Sequence, residues 1–174
     1  MKIHGQITIN RVTYAEGTDI PWYQIYPFFL MHILVFGGSG FVFTYLHPFF
    51  TDHALAFLYV HGGFAIAIYT YIYVVFFGLD EVKWMFINAG LGLLGIYGQI
   101  GWLLSLFGKN IGDYPVYIHV IPFLYFVLCT FLIRHAILDL TQSREDEQKK
   151  KRVENAYIAI SVAINVLLYY LESR

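Results

Sequence analysis

Four histidines lie inside long apolar stretches of this chain: His32, His61, His119 and His135. An ionisable side chain at membrane depth is costly, so each marks a candidate functional position. A neutral imidazole is cheaper to bury than a carboxylate or an ammonium, and each of the four also reads as hydrogen-bonding glue between helices. Imidazoles from different helices at one depth suit axial ligation of a flat macrocycle, haem b or a chlorophyll-type pigment. At about 1.5 Å per residue, His61 lies roughly 12 Å and His119 roughly 8 Å from the outer ends of their helices, which makes them the favoured pair. His32 and His135, roughly 14 and 8 Å from the inner side, form a looser second level. Two stacked haems fit the spacing poorly. His119 and His135 are 16 residues apart, and at about 100° per residue they point roughly 160° from one another. Proton transfer and a quinone contact are further roles open to the same side chains.

A second constellation is His47, Asp52 and His53, two imidazoles and a carboxylate suited to zinc, copper or iron. Its spacing matches no metal motif, and Asp52 equally serves as a helix cap. Asn88, Gln99, Ser105, Thr130 and Asn165 are the other polar groups within apolar stretches. Amides in lipid typically bond across helices, at about 0.6–2 kcal/mol each. There is no His-x-x-x-His pair, no Gly-x-Ser-x-Gly elbow, no phosphate loop and no Cys-x-x-Cys, and Cys129 is the single cysteine. A self-contained enzyme or transporter is therefore the weakest of the functional expectations.

The elements that position these residues are read from the charges. Only 13% of the 174 residues are charged and 58% are hydrophobic, and the mean hydropathy is +0.58. No Asp, Glu, Lys or Arg occurs over 22–50, 53–79, 84–108 or 114–133. Each run is near or above the ~20 residues that cross a hydrocarbon core. The expected fold is all-α, a polytopic membrane bundle of four spanning helices with a short fifth at the C-terminus. Residues 1–20 form a polar surface segment, weakly alternating over Gln6–Tyr14. Residues 21–140 form the four-helix transmembrane domain. Residues 141–174 form a charged linker followed by a membrane or interfacial helix, apolar all round over Ala156–Ile160. Pro122 predicts a kink in the fourth helix, and Arg134 beside His135 points to an interfacial, snorkelling position.

Ala89, Gly92, Gly95, Gly98 and Gly101 place a small residue at every third position of the third helix. Steps of three lag a helical turn, so this packing stripe winds about 240° and meets several neighbours in turn. Gly37, Gly38 and Gly40 predict a close crossing or a kink in the first helix. Nine basic residues fall on the side of the amino terminus, which the positive-inside rule assigns to the cytoplasm, in a bacterial inner membrane or its organellar equivalent. A net charge of −1 gives no basic field for nucleic acid. The expected partners are membrane lipids and other integral subunits. The expected function is an accessory subunit of a respiratory- or photosynthetic-type complex. The alternatives are a b-type haem or quinone-reactive cytochrome subunit and a stand-alone membrane enzyme or transporter.

Overall fold

The computed structural model describes residues 2–9, 11–46 and 52–172. It is all-α and 80% helical. Among the described residues, four helices are long and apolar enough to cross a membrane, or five if one bent pair counts as a single span. The chain divides into two compact units, Met1–Phe86 and Ile87–Arg174.

The first unit opens with a small antiparallel hairpin, β1 (Ile7–Ile9) against β2 (Val12–Tyr14), with Ile7 opposite Tyr14 and Ile9 opposite Val12. Arg11, in the tight loop between them, has a φ of 67°. Helix α1 (Trp22–Phe41) follows Pro21, whose extended backbone starts the helix, and it passes into a π-helical turn, Val42–Leu46. Helix α2 (Asp52–Phe77) runs antiparallel to it. Aromatic contacts fix their register: Phe29 meets Tyr73 and Phe76 edge-on at 5.3 and 5.4 Å, and Phe36 meets Tyr69 at 6.4 Å. Such edge-to-face pairs are worth about 0.5–1.5 kcal/mol beyond the area they bury.

The N-terminal segment is tied to the end of α2. The His4 amide donates to the Val75 carbonyl at 2.7 Å, and Ile3 is buried. Gly78 ends α2 at φ 91°, a conformation that L side chains rarely adopt, and the His4 ring lies where its Cβ would point.

A 3₁₀ turn, Leu79–Val82, leads into α3 (Lys83–Ser105), most of which belongs to the second unit. The glycine-rich helix is not straight. Its parts Leu79–Leu93 and Gly95–Ser105 are bent by 60°. Helix α4 (Val120–Leu140) begins later than the sequence predicts, because Val116–His119 forms a 3₁₀ turn capped by Pro115. Pro122 therefore falls in the first turn of α4, where its missing N–H is harmless, and the reason for a kink disappears. Past the C-cap Thr141, Gln142 turns left-handed (φ 51°), and the Ser143 amide returns to the Leu138 carbonyl at 2.9 Å, closing the helix.

Helix α5 (Glu147–Glu172) corrects the reading of the C-terminal region. The charged stretch is not a linker up to the apolar residues: from Glu147 onward it is the first turns of one continuous 26-residue helix. Asp146 starts it, its carboxylate accepting from the Lys149 amide at 3.0 Å. The fifth helix is therefore long rather than short.

Candidate functional site

The second unit contains the only extended set of polar contacts between helices among the described residues, and it is organised by one face of α5. Glu154, Tyr157, Ser161 and Asn165 recur at steps of three and four, the spacing of one helical stripe. Each of the four is at least partly buried, while Ile160, Val162, Ile164, Val166 and Leu167 are exposed. The helix is thus polar inward and apolar outward, not apolar all round.

Glu154, Tyr157 and Asn165 each make a contact with another helix. Asn165 reaches the bend in α3, where its Nδ2 donates to the Leu91 carbonyl at 3.1 Å. Leu91 stands four residues before Gly95, so its carbonyl is the one a straight helix offers to the Gly95 amide. A side chain inserted at this point of the ladder, beside glycines, is a recognised cause of a sharp bend. Asn165 Oδ1 also accepts from Gln99 Nε2 at 2.8 Å. Gly95 makes room for this: a Cβ there would lie within 3.0 Å of the Asn165 amide. At Gly92 the neighbour is α4 instead, with the Phe126 ring 2.7 Å from a Cβ. Gly98 and Gly101 are buried and Ala89 is partly buried. The small residues of α3 thus face two different helices within one turn.

Farther along α5, the Tyr157 hydroxyl lies 3.2 Å from both Asn88 Oδ1 and the Thr130 carbonyl, linking α3, α4 and α5 at one point. Thr130 and Ser105 otherwise bond back to their own helices. Between these rungs lies a cavity of about 560 Å³, with Asn88, Thr130, Tyr157 and Asn165 on its polar side and Leu103, Ile133, Ile160 and Leu168 among its apolar walls. Cys129 also lines it.

At the start of α5 the contacts become ionic. Arg134 is 1% exposed and pairs with Glu154. Its position is therefore interior, not the snorkelling one that its neighbour His135 implied. The ion pair spans 20 residues of sequence, which local reading does not reach. His135 is fully buried, with Nε2 3.2 Å from the Arg134 guanidinium and Nδ1 3.2 Å from that of Arg144. Arg144 is itself held by Asp139, at 2.5 and 2.9 Å. Both ring nitrogens of His135 face guanidinium donors, so neither presents a lone pair to a haem iron. In this arrangement His135 belongs to the ionic network.

The other histidines differ. His119 is buried, its ring edge-on to Tyr97 at 5.8 Å and to Tyr114 at 6.4 Å. His61 is exposed on α2 and stacks on Phe57 at 3.9 Å, with Nδ1 3.3 Å from the Phe57 carbonyl. A carbonyl only accepts, so Nδ1 carries the proton and Nε2 keeps the lone pair, the tautomer that metal-ligating histidines usually hold. His61 belongs to the first unit and His119 to the second. His32 lies within α1, but its side chain is outside the described residues, as are those of Asp52 and His53 and the whole of His47. The candidate metal set therefore falls outside the described residues. Among those that are described, no three His, Cys, Asp or Glu side chains gather to hold an ion. Nothing in the sequence marked Glu154, Asp139 or Arg144 as parts of a buried network. The stepping of Glu154, Tyr157, Ser161 and Asn165 was the available signal.

No protein-family model, curated protein or solved structure matches this chain.

Proposed function

We propose that the chain is an accessory integral subunit of a larger membrane assembly of the respiratory or photosynthetic kind, with its amino terminus on the cytoplasmic side. Insertion is supported by α5. A helix that turns Glu154, Tyr157 and Asn165 inward and its apolar side chains outward suits hydrocarbon, not water. Association with other subunits rests on one observation. A Cβ at Gly37, Gly38 or Gly40 of α1, or at Gly63 of α2, meets nothing within 4 Å. The crossing these glycines predict is not made with any described part of this chain, and small residues facing outward in a bilayer let a further helix approach closely. Basic residues concentrated on the side of the amino terminus support the orientation.

Extraction of the full chain from its native membrane in mild detergent tests this. The chain migrates with a larger complex, and Gly38→Leu releases it without changing its own unfolding midpoint. A stable monomer with turnover of its own overturns the reading.

A second reading, a b-type haem or pigment subunit, is favoured by His61. The ring is exposed, and its Nδ1 is held by the Phe57 carbonyl. His61 would supply one axial imidazole. The absorption spectrum of the purified protein decides it: a Soret or chlorin band lost in His61→Ala and retained in His135→Gln supports the reading, and no band with cofactor supplied refutes it.

A further inference from the structure

Asn88 is 1% exposed and lines the cavity between α3, α4 and α5. Its Oδ1 accepts from Tyr157, but its Nδ2 meets no acceptor among the described residues. A buried donor left without a partner is costly. The side chains around it do not repair this. The other polar side chains of the wall, Gln99, Thr130, Ser161 and Asn165, make no hydrogen bond to Asn88 Nδ2. The remaining walls are mostly aliphatic, a surface that a lone water wets poorly because it needs two to four polar partners. The volume, about 560 Å³, is in the range of sites for small organic ligands. Trp102 and Leu103, which are exposed, stand at its rim and leave a way in from the side.

From this geometry we infer that the cavity binds a hydrocarbon-tailed molecule whose carbonyl oxygen accepts from Asn88 Nδ2. The apolar walls hold the tail, and Asn88 Nδ2 fixes the head. Two membrane components carry that chemistry, a quinone through its ring carbonyl and a diacyl lipid through its ester.

Cys129 reports on occupancy, because it is the single cysteine and lines the same cavity. The rate of its alkylation by N-ethylmaleimide is measured on the detergent-solubilised full chain with decylubiquinone, with dioleoyl phosphatidylglycerol, or with dodecylbenzene, which has a tail but no acceptor. Saturable protection by the quinone or by the lipid supports the inference and identifies the source. Protection by dodecylbenzene is expected to be about fivefold to tenfold weaker, the worth of one buried hydrogen bond. Asn88→Leu removes this difference. If Asn88→Leu does not yield folded protein, Ile133→Trp narrows the cavity with Asn88 intact and abolishes protection by both carbonyl probes. Equal protection by all three probes, or by none, overturns the inference. The result is independent of whether the chain joins a larger complex, since the isolated chain is the sample.

Discussion

Replacing Gly95 by Ala adds one methyl group, and the structure predicts that its effect changes sign with the residue at position 165. The new Cβ would fall within 3.0 Å of three atoms of the Asn165 amide, closer than such atoms ever sit. Asn165 must move, and it carries two hydrogen bonds, from Gln99 at 2.8 Å and to the Leu91 carbonyl at 3.1 Å. Interhelical hydrogen bonds in membranes average about 0.6 kcal/mol and reach about 1.7, so losing both costs about 1.2–3.4 kcal/mol. Against this, Ala in place of Gly inside a helix contributes up to about 1 kcal/mol. With the full helical gain the net result is a destabilisation of about 0.2–2.4 kcal/mol. Asn165→Ala alone loses the same two bonds. In that background Gly95→Ala meets no amide, retains the helical gain, and is neutral or stabilising by up to about 1 kcal/mol. The four proteins of this cycle, reconstituted in mixed micelles and unfolded reversibly with SDS, give the coupling directly. A Gly95→Ala effect equal in both backgrounds, within the ~0.5 kcal/mol that independent sites show, would refute the placement of Asn165 over Gly95.

The same titration checks two further expectations. Glu154→Ala leaves the Arg134 guanidinium buried without its carboxylate and should cost about 3–5 kcal/mol, most of it recovered in Arg134→Met/Glu154→Leu, as for other buried ion pairs; a loss below about 1 kcal/mol would mean that the pair is solvated. Gly92→Ala presses a Cβ against the Phe126 ring at 2.7 Å and should destabilise by about 1–3 kcal/mol, whereas at Gly90, where a Cβ meets nothing within 4 Å, the same change should be neutral or mildly stabilising.

The positions of the helices were legible because hydrophobicity and charge are local. The charge-free runs over 22–50, 53–79, 84–108 and 114–133 each contain most of one helix, α1 to α4, and match both ends of α2 and α3 to within a few residues. The misreadings all concern what a residue meets. The stretch after Glu147 resembles a solvated linker by composition, yet Lys and Glu are good helix formers and Asp146 supplies the cap. The crossing expected at Gly37, Gly38 and Gly40 is a separate matter: no described residue lies within 4 Å of a Cβ there, so a partner for it has to come from elsewhere. Arg134 beside His135 suggests a snorkelling side chain, whereas its carboxylate partner, 20 residues on, holds it buried. The bend in α3 was the hardest feature to foresee. Its glycines permit it, but the side chain that holds it is 74 residues from the carbonyl it bonds.

These contacts also explain how a helix as little buried as α5 keeps its place. On the proposed insertion there is no hydrophobic drive between helices, because a leucine is as well solvated by acyl chains as by another leucine. What can fix α5 is its row of polar rungs: Glu154 on Arg134, Tyr157 on Asn88 and Thr130, and Asn165 on Gln99 and Leu91. They extend over 11 residues, about 17 Å of helix. A slip of one residue rotates α5 by about 100° and turns every rung toward the outside. The ladder therefore sets register more than it adds stability, which is the best-attested use of buried polar groups. The same reasoning isolates Asn88. Its Nδ2 has no partner among the described residues and lies at the cavity, so register alone does not account for the residue.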